Sequence, residues 1–141
     1  MRICIDSSAF IPGIRRQDAS AHYLLTLIGP QLPLFIPRLI AQEVTRNLAT
    51  TEQVRRFYHI FHLVDFASII DDPVPSALFQ KYIGLGLPEK ADAYIGAFAE
   101  WMQIDYLISK NRHFLRELET DQFKVLTPTE FLADLGEDFD T

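Results

Sequence analysis

Apolar residues fall along this chain in two rhythms. Short, nearly uninterrupted runs, Ile3-Cys4-Ile5, Leu34-Phe35-Ile36, Tyr106-Leu107-Ile108 and Phe123-Lys124-Val125-Leu126, have the length and composition of strands buried on both faces. Between them lie longer stretches with helical spacing. Residues 18–28 follow Asp18 and close on Gly29-Pro30, and residues 39–48 turn Ile40, Val44 and Leu48 inward. A further helix starts at Thr50-Thr51-Glu52 and sets Val54, Phe57 and Phe61 on one stripe. Residues 76–83, 87–101, 112–118 and 128–135 complete the set, the last opened by the capping box of Thr127, Pro128 and Glu130 and ended by Gly136. Residues 62–65 suit either a third strand or the end of the helix before them. The stretch after Asp6, with Pro12 and Gly13, reads as a loop, and Gly84-Leu85-Gly86 as a joint. Strands alternating with helices predict an α/β fold, a mostly parallel sheet covered on both faces. One domain over residues 1–136 and a short acidic tail over residues 137–141 account for the chain.

Composition changes this picture little. A chain of 141 residues, 48% hydrophobic and 23% charged, has the make-up of a globular domain. Its single cysteine, Cys4, rules out an internal disulfide and a cysteine-based zinc cluster, and its place in an apolar run makes it an inert core thiol. The absence of a signal-like start and the short, proline-cut apolar runs lead to the expectation of a cytoplasmic, soluble protein with no membrane partner. The net charge of −6 argues against a nucleic-acid partner until its distribution is considered. From Glu117 onward eight acids face Lys124 alone, whereas residues 1–116 carry 12 basic and 11 acidic side chains. Acidity is therefore a property of the last quarter.

Three acids stand where chemistry belongs in a parallel sheet, beyond the carboxyl ends of the strands. Asp6 stops the first strand; a helix cap or turn is its ordinary use. Glu43 follows the second strand, about 60° from Ile40 on the helical wheel, where a solvated glutamate is the plain reading. Asp92 shares a stripe with Ile95, Gly96 and Ala99, and no Lys or Arg joins it there. An ionised carboxylate on a face made for close packing needs a cation, donors or a metal.

In this order the three segments resemble the PIN domain, a metal-dependent ribonuclease family that includes VapC-type toxins. Ile5-Asp6-Ser7-Ser8 resembles the family's strand-ending aspartate, and Ile40-Ala41-Gln42-Glu43-Val44 its second acid on a helix. Asp92-Ala93-Tyr94-Ile95-Gly96-Ala97 is similar to the Asp-Ala-x-Ile-Ala-Ala segment of the third acid. Tyr106-Leu107-Ile108-Ser109-Lys110-Asn111-Arg112-His113-Phe114 is similar to the strand and turn of the fourth, with Asn111 and His113 where an acid is expected. Asp105 is no substitute, since a rise of ~3.3 Å per residue leaves it at the wrong end of that strand.

The resemblance implies a PIN-like three-layer sandwich and hydrolysis of RNA phosphodiesters with Mg²⁺ or Mn²⁺. Asp6 and Asp92 are then principal metal ligands, Glu43 a ligand or orienter of water, and Asn111 an auxiliary catalytic residue. Asn111 equally suits a helix cap, and His113 either a Mn²⁺ ligand or a surface position. Ser7 or Ser8 would bond a phosphate or hold Asp6, while Arg15, Arg16, Arg46, Lys110 and Arg112 would grip the RNA backbone. A cognate antitoxin and a homodimer are the partners implied; Val54, Phe57 and Phe61 would serve a dimer surface or the core. The competing reading is a PIN-like module, weak or inactive as an enzyme, that binds RNA or a protein. Phosphotransfer on a strand-end aspartate fails on motif, because Asp6-Ser7-Ser8 offers neither an acidic pair nor Asp-x-Asp.

Overall fold

The computed structural model describes residues 1–62, 65–87 and 89–136. The elements run β1 (Ile3–Ile5), α1 (Ser7–Ile14), α2 (Ala19–Thr26), β2 (Leu34–Pro37), α3 (Arg38–Arg46), α4 (Thr51–Phe61), β3 (Ala67–Ile70), α5 (Ser76–Gly84), α6 (Lys90–Trp101), β4 (Tyr106–Ile108), a π-helical turn (His113–Glu117), β5 (Lys124–Leu126) and α7 (Pro128–Asp134). The five strands form one parallel sheet in the order β3-β2-β1-β4-β5. Travel across the sheet runs one way from β1 to β3, jumps back, and then runs the other way through β4 and β5. Right-handed crossovers put α1–α4 on one face and α5 and α6 on the other. The packed helix pairs agree, with α1 against α2, α3 and α4, and α5 against α6. The result is an α/β sandwich whose central strand β1 is fully buried.

Two differences from the sequence expectation have clear causes. The expected loop after Asp6 is helix α1, with Pro12 inside it. Gly13 is a packing residue there, not a breaker: a Cβ would meet the Ala21 backbone and Leu25 Cδ1 at 3.2 Å. Second, β3 begins at Ala67, and His62 closes α4 as its C-cap. The chain at 62–65 is thus no strand at its described ends, while Leu63 and Val64 lie outside the described residues, as does the tail 137–141. Phe57 is buried edge-on to Phe10, and Phe61 stacks on the same ring, so that stripe of α4 is core. Among the described residues no helix is long and apolar enough to cross a membrane.

Candidate active site at the carboxyl end of the sheet

Strand β1 has β2 on one side and β4 on the other, and the chain leaves the two middle strands in opposite directions. A crevice opens at such a switch point, beyond the carboxyl ends of β1 and β4. The register Ile5↔Ile108 and the bond from the Asp6 amide to the Ile108 carbonyl (3.1 Å) seat Asp6 beside Ser109 at its floor. Asp6 is only 3% exposed. It holds the N-cap position of α1, where its carboxylate makes no full capping bond and the Ala9 amide is only near enough to favour its charge. Instead Oδ1 accepts from Ser8 Oγ (2.6 Å) and Oδ2 from Ser109 Oγ (2.7 Å). Those hydroxyls accept in turn from the amides of Lys110 and Asn111, both at 2.9 Å, which leaves each proton free for Asp6.

Two hydroxyls do not offset the loss of water around an ionised carboxylate. Burial pushes the Asp6 carboxyl up to about 6, with the negative charge of Asp92 adding to it, while Ser8, Ser109 and the Ala9 amide pull the other way. Asp92 is half-buried and is likewise pushed up by desolvation, then held down by Asn111 and His113 and raised by Glu43 and Glu89. Asp6, Glu43 and Asp92 therefore share one field. Asp92 reaches this place because α6 lies tight on α5. A Cβ on Gly96 would come within 2.7 Å of the Tyr82 ring, so the helix needs glycine one turn beyond Asp92.

The remaining polar groups sort by what they touch. Ser7 donates to Glu43 Oε2 (2.7 Å) and so links the start of α1 to α3. Asn111 donates weakly to both Asp92 oxygens (3.4 and 3.5 Å), and its Oδ1 takes the His113 amide at 2.9 Å. Its carbonyl oxygen is thus spent on capping the turn, and its amide faces the acid. Lys110 pairs with Asp18 at 2.6 Å, and Arg46 donates to the Gln42 carbonyl. Arg112 precedes the π-helical turn and is exposed. Helix α1 carries Arg15 and Arg16 about 12 Å along its axis from Ser7, at its other end. None of these cations pairs with Asp6, Glu43 or Asp92 among the described residues, and Arg15 and Arg16 lie well away from them.

Ser109 escaped the sequence reading, although a signal existed. It follows the Tyr106-Leu107-Ile108 run as Asp6 follows Ile3-Cys4-Ile5, and pairing those two strands would have set the two residues side by side. Asp105 lies at the opposite end of the sheet, where it accepts from the Arg2 amide at 2.7 Å. A wide hollow of about 700 Å³ sits at that end too, lined by Asp105, Tyr106 and Lys124. Size does not make it the site, because it lies at the other end of the strands from Asp6 and its lining includes none of Asp6, Glu43 and Asp92.

The floor's donors are all hard oxygens, the chemistry that suits Mg²⁺ or Mn²⁺. Asp6 is buried within the field of Asp92, and among the described residues no cationic side chain bonds to it. Spacing is a separate matter. Among the described residues no three His, Cys, Asp or Glu side chains stand close enough together to hold one ion. Asp6 is turned to its serines and Glu43 to Ser7, so the acids converge in field without closing into a three-ligand set.

No family model matches the chain, and no curated protein matches it by sequence. Solved structures do. VapBC2 from Rickettsia felis, solved bound to a DNA fragment from its promoter, matches with a TM-score of 0.59 over 89% of this chain and 97% of the other, at 17% identity. PAE2754 from Pyrobaculum aerophilum matches with a TM-score of 0.54 over 96% and 98%, at 16% identity. At such identities the likeness speaks for the fold alone, and together with the sheet order it supports one statement: the chain has a PIN-like, VapC-like fold.

Proposed function

We propose that this protein is a Mg²⁺- or Mn²⁺-dependent ribonuclease acting in the cytoplasm, the toxin member of a toxin–antitoxin pair. The observation that carries the reading is Asp6, a buried strand-end carboxylate pushed up to about 6 at the switch point, coupled to Asp92 and through it to Glu43. Asp6, Glu43 and Asp92 are the proposed ligands, which would have to draw in from the open spacing and the serine bonds they have here; a bound ion would lower the pKa of a water and offset charge building on phosphate oxygens. Ser8 and Ser109 fix the Asp6 carboxylate, Ser7 fixes Glu43, and Asn111 restrains Asp92. Arg15, Arg16, Arg46, Lys110 and Arg112 form the basic border proposed to take the RNA backbone. A cognate antitoxin and a homodimer, the partners the family resemblance implies, complete the proposed assembly.

Purified protein should cleave single-stranded RNA with Mn²⁺ or Mg²⁺ and stop in EDTA. Asp6→Asn and Asp92→Asn should each abolish cleavage while the fold persists. Cleavage that survives both substitutions would sink the assignment of the site. The second reading, a non-catalytic PIN-like module for RNA or a protein partner, is favoured by the open spacing of the acids and by Asn111 in place of an acid. Absence of cleavage under every metal condition, with RNA binding retained, selects it.

A further inference from the structure

The π-helical turn supplies a group that the carboxylates cannot. Its i→i+5 bond, from the Leu118 amide to the His113 carbonyl at 3.0 Å, is a rare geometry that tends to occur at functional sites. The turn is fixed at both ends. Asn111 Oδ1 caps the His113 amide, and Phe114 is buried beneath it. At the far end Gly86, at φ +98°, lets the Glu117 carbonyl approach so closely that a Cβ would stand 2.6 Å from it. Within this clamp His113 Nδ1 meets Glu117 Oε2 at 2.5 Å. A carboxylate on Nδ1 keeps the proton there and leaves Nε2 as the working nitrogen. The ring lies near enough to Asp92 for its charge to hold that carboxyl down.

Cleavage of a phosphodiester leaves a ribose oxygen that must gain a proton. Among the described residues the hydroxyls and the lysine of the crevice are committed: Ser7, Ser8 and Ser109 to carboxylates, Lys110 to Asp18. An amide such as Asn111 does not release its proton. Resting on the ribonuclease reading above, we propose that His113, aligned by Glu117, is the proton donor to the leaving ribose oxygen. In that step the water oxygen bonds to phosphorus and the water gives its proton to solvent. The bond from phosphorus to the ribose oxygen breaks, and the Nε2 proton of the imidazolium passes to that oxygen. Solvent then restores the imidazolium. The charged groups around the ring are Asp92 from α6, with Glu89 just before α6 acting on Asp92, and Arg112, Arg116 and Glu117 along its own turn. Glu117 is a positioning residue in this scheme.

The test compares two substrates with the full chain in Mn²⁺: single-stranded RNA, and a ribonucleotide phosphodiester whose leaving group is p-nitrophenolate, which departs without a proton. His113→Ala and His113→Gln should lose about a hundredfold on RNA and less than about threefold on the activated ester. Glu117→Gln should lose about tenfold on RNA alone. Equal losses on both substrates, or none on RNA, overturn the proposal and leave the ribonuclease reading standing. Failure of the unaltered protein to cut RNA overturns that reading and the proposal with it. Nitrogen NMR of neutral His113 gives a readout apart from activity: the Nδ1–H tautomer is expected, and the Nε2–H tautomer overturns the alignment by Glu117.

Discussion

The rim and the floor of the crevice treat carboxylates in opposite ways. At the rim Asp71 takes two bonds from the Arg38 guanidinium, and Asp18 takes the Lys110 ammonium while capping α2. Both carboxyls are held below the ordinary range, Asp71 by its arginine and Asp18 by Lys110 and the α2 amides against a desolvation that raises it. On the floor Asp6 and Asp92 have hydroxyl and amide donors, no Lys or Arg partner among the described residues, and carboxyls pushed upward by burial. Lysine and arginine are thus spent at the rim, and the floor acids are left with hydroxyls, an amide, His113 and each other. A structural ion-pair network would distribute its cations the other way. The contrast is what the proposed cation site at the floor would produce, and it leaves the rim as ordinary surface.

The strongest way to break that contrast is the pH dependence of stability. Asp6 ionises near 3.8 when unperturbed and near 6 in the fold. Between those values the folded state binds a proton that the unfolded chain has lost, so stability falls as pH rises through the window and levels above it. The loss is about 3 kcal/mol. In EDTA, Asp6→Asn should melt above the unaltered protein at pH 7.5 and converge with it near pH 4. Parallel melting curves across that range would show that the floor is not strained.

A smaller effect is expected from Ser109→Ala, which takes the donor from Asp6 Oδ2 and the acceptor from the Asn111 amide. Leaving buried polar groups unpaired costs about 1–3 kcal/mol. Calorimetry at neutral pH should show a fall of about 3–10 °C in a domain this size. An unchanged melting temperature would mean that water replaces the hydroxyl and that the floor is open. The smallest effect belongs to the rim. Arg38→Gln breaks an exposed pair and should move the melting temperature by no more than about a degree, with less effect still in high salt. A shift as large as that of Ser109→Ala would erase the distinction between the two regions.

What the sequence by itself determined follows from local rules. Strand runs such as Tyr106-Leu107-Ile108 and the Thr127–Glu130 capping box are read from neighbours a few residues apart, and both stand in the structure as read. The acids Asp6, Glu43 and Asp92 were legible as strand-end and helix-face residues in a known order. Helix α1 was not, because Pro12 and Gly13 signal a break to any local reading; only the close approach of α2 shows what Gly13 is for. Tertiary structure alone decided the floor. The pairing of β1 with β4 joins Asp6 to Ser109 across 103 residues of chain, and burial at that junction, with Asp92 adding to it, raises the acid's pKa. The clamp on the π-helical turn likewise depends on Gly86 meeting Glu117 and on Asn111 reaching Asp92. Hydrophobic spacing records which residues leave water; which charges they leave it with is set by contacts between segments far apart in the chain.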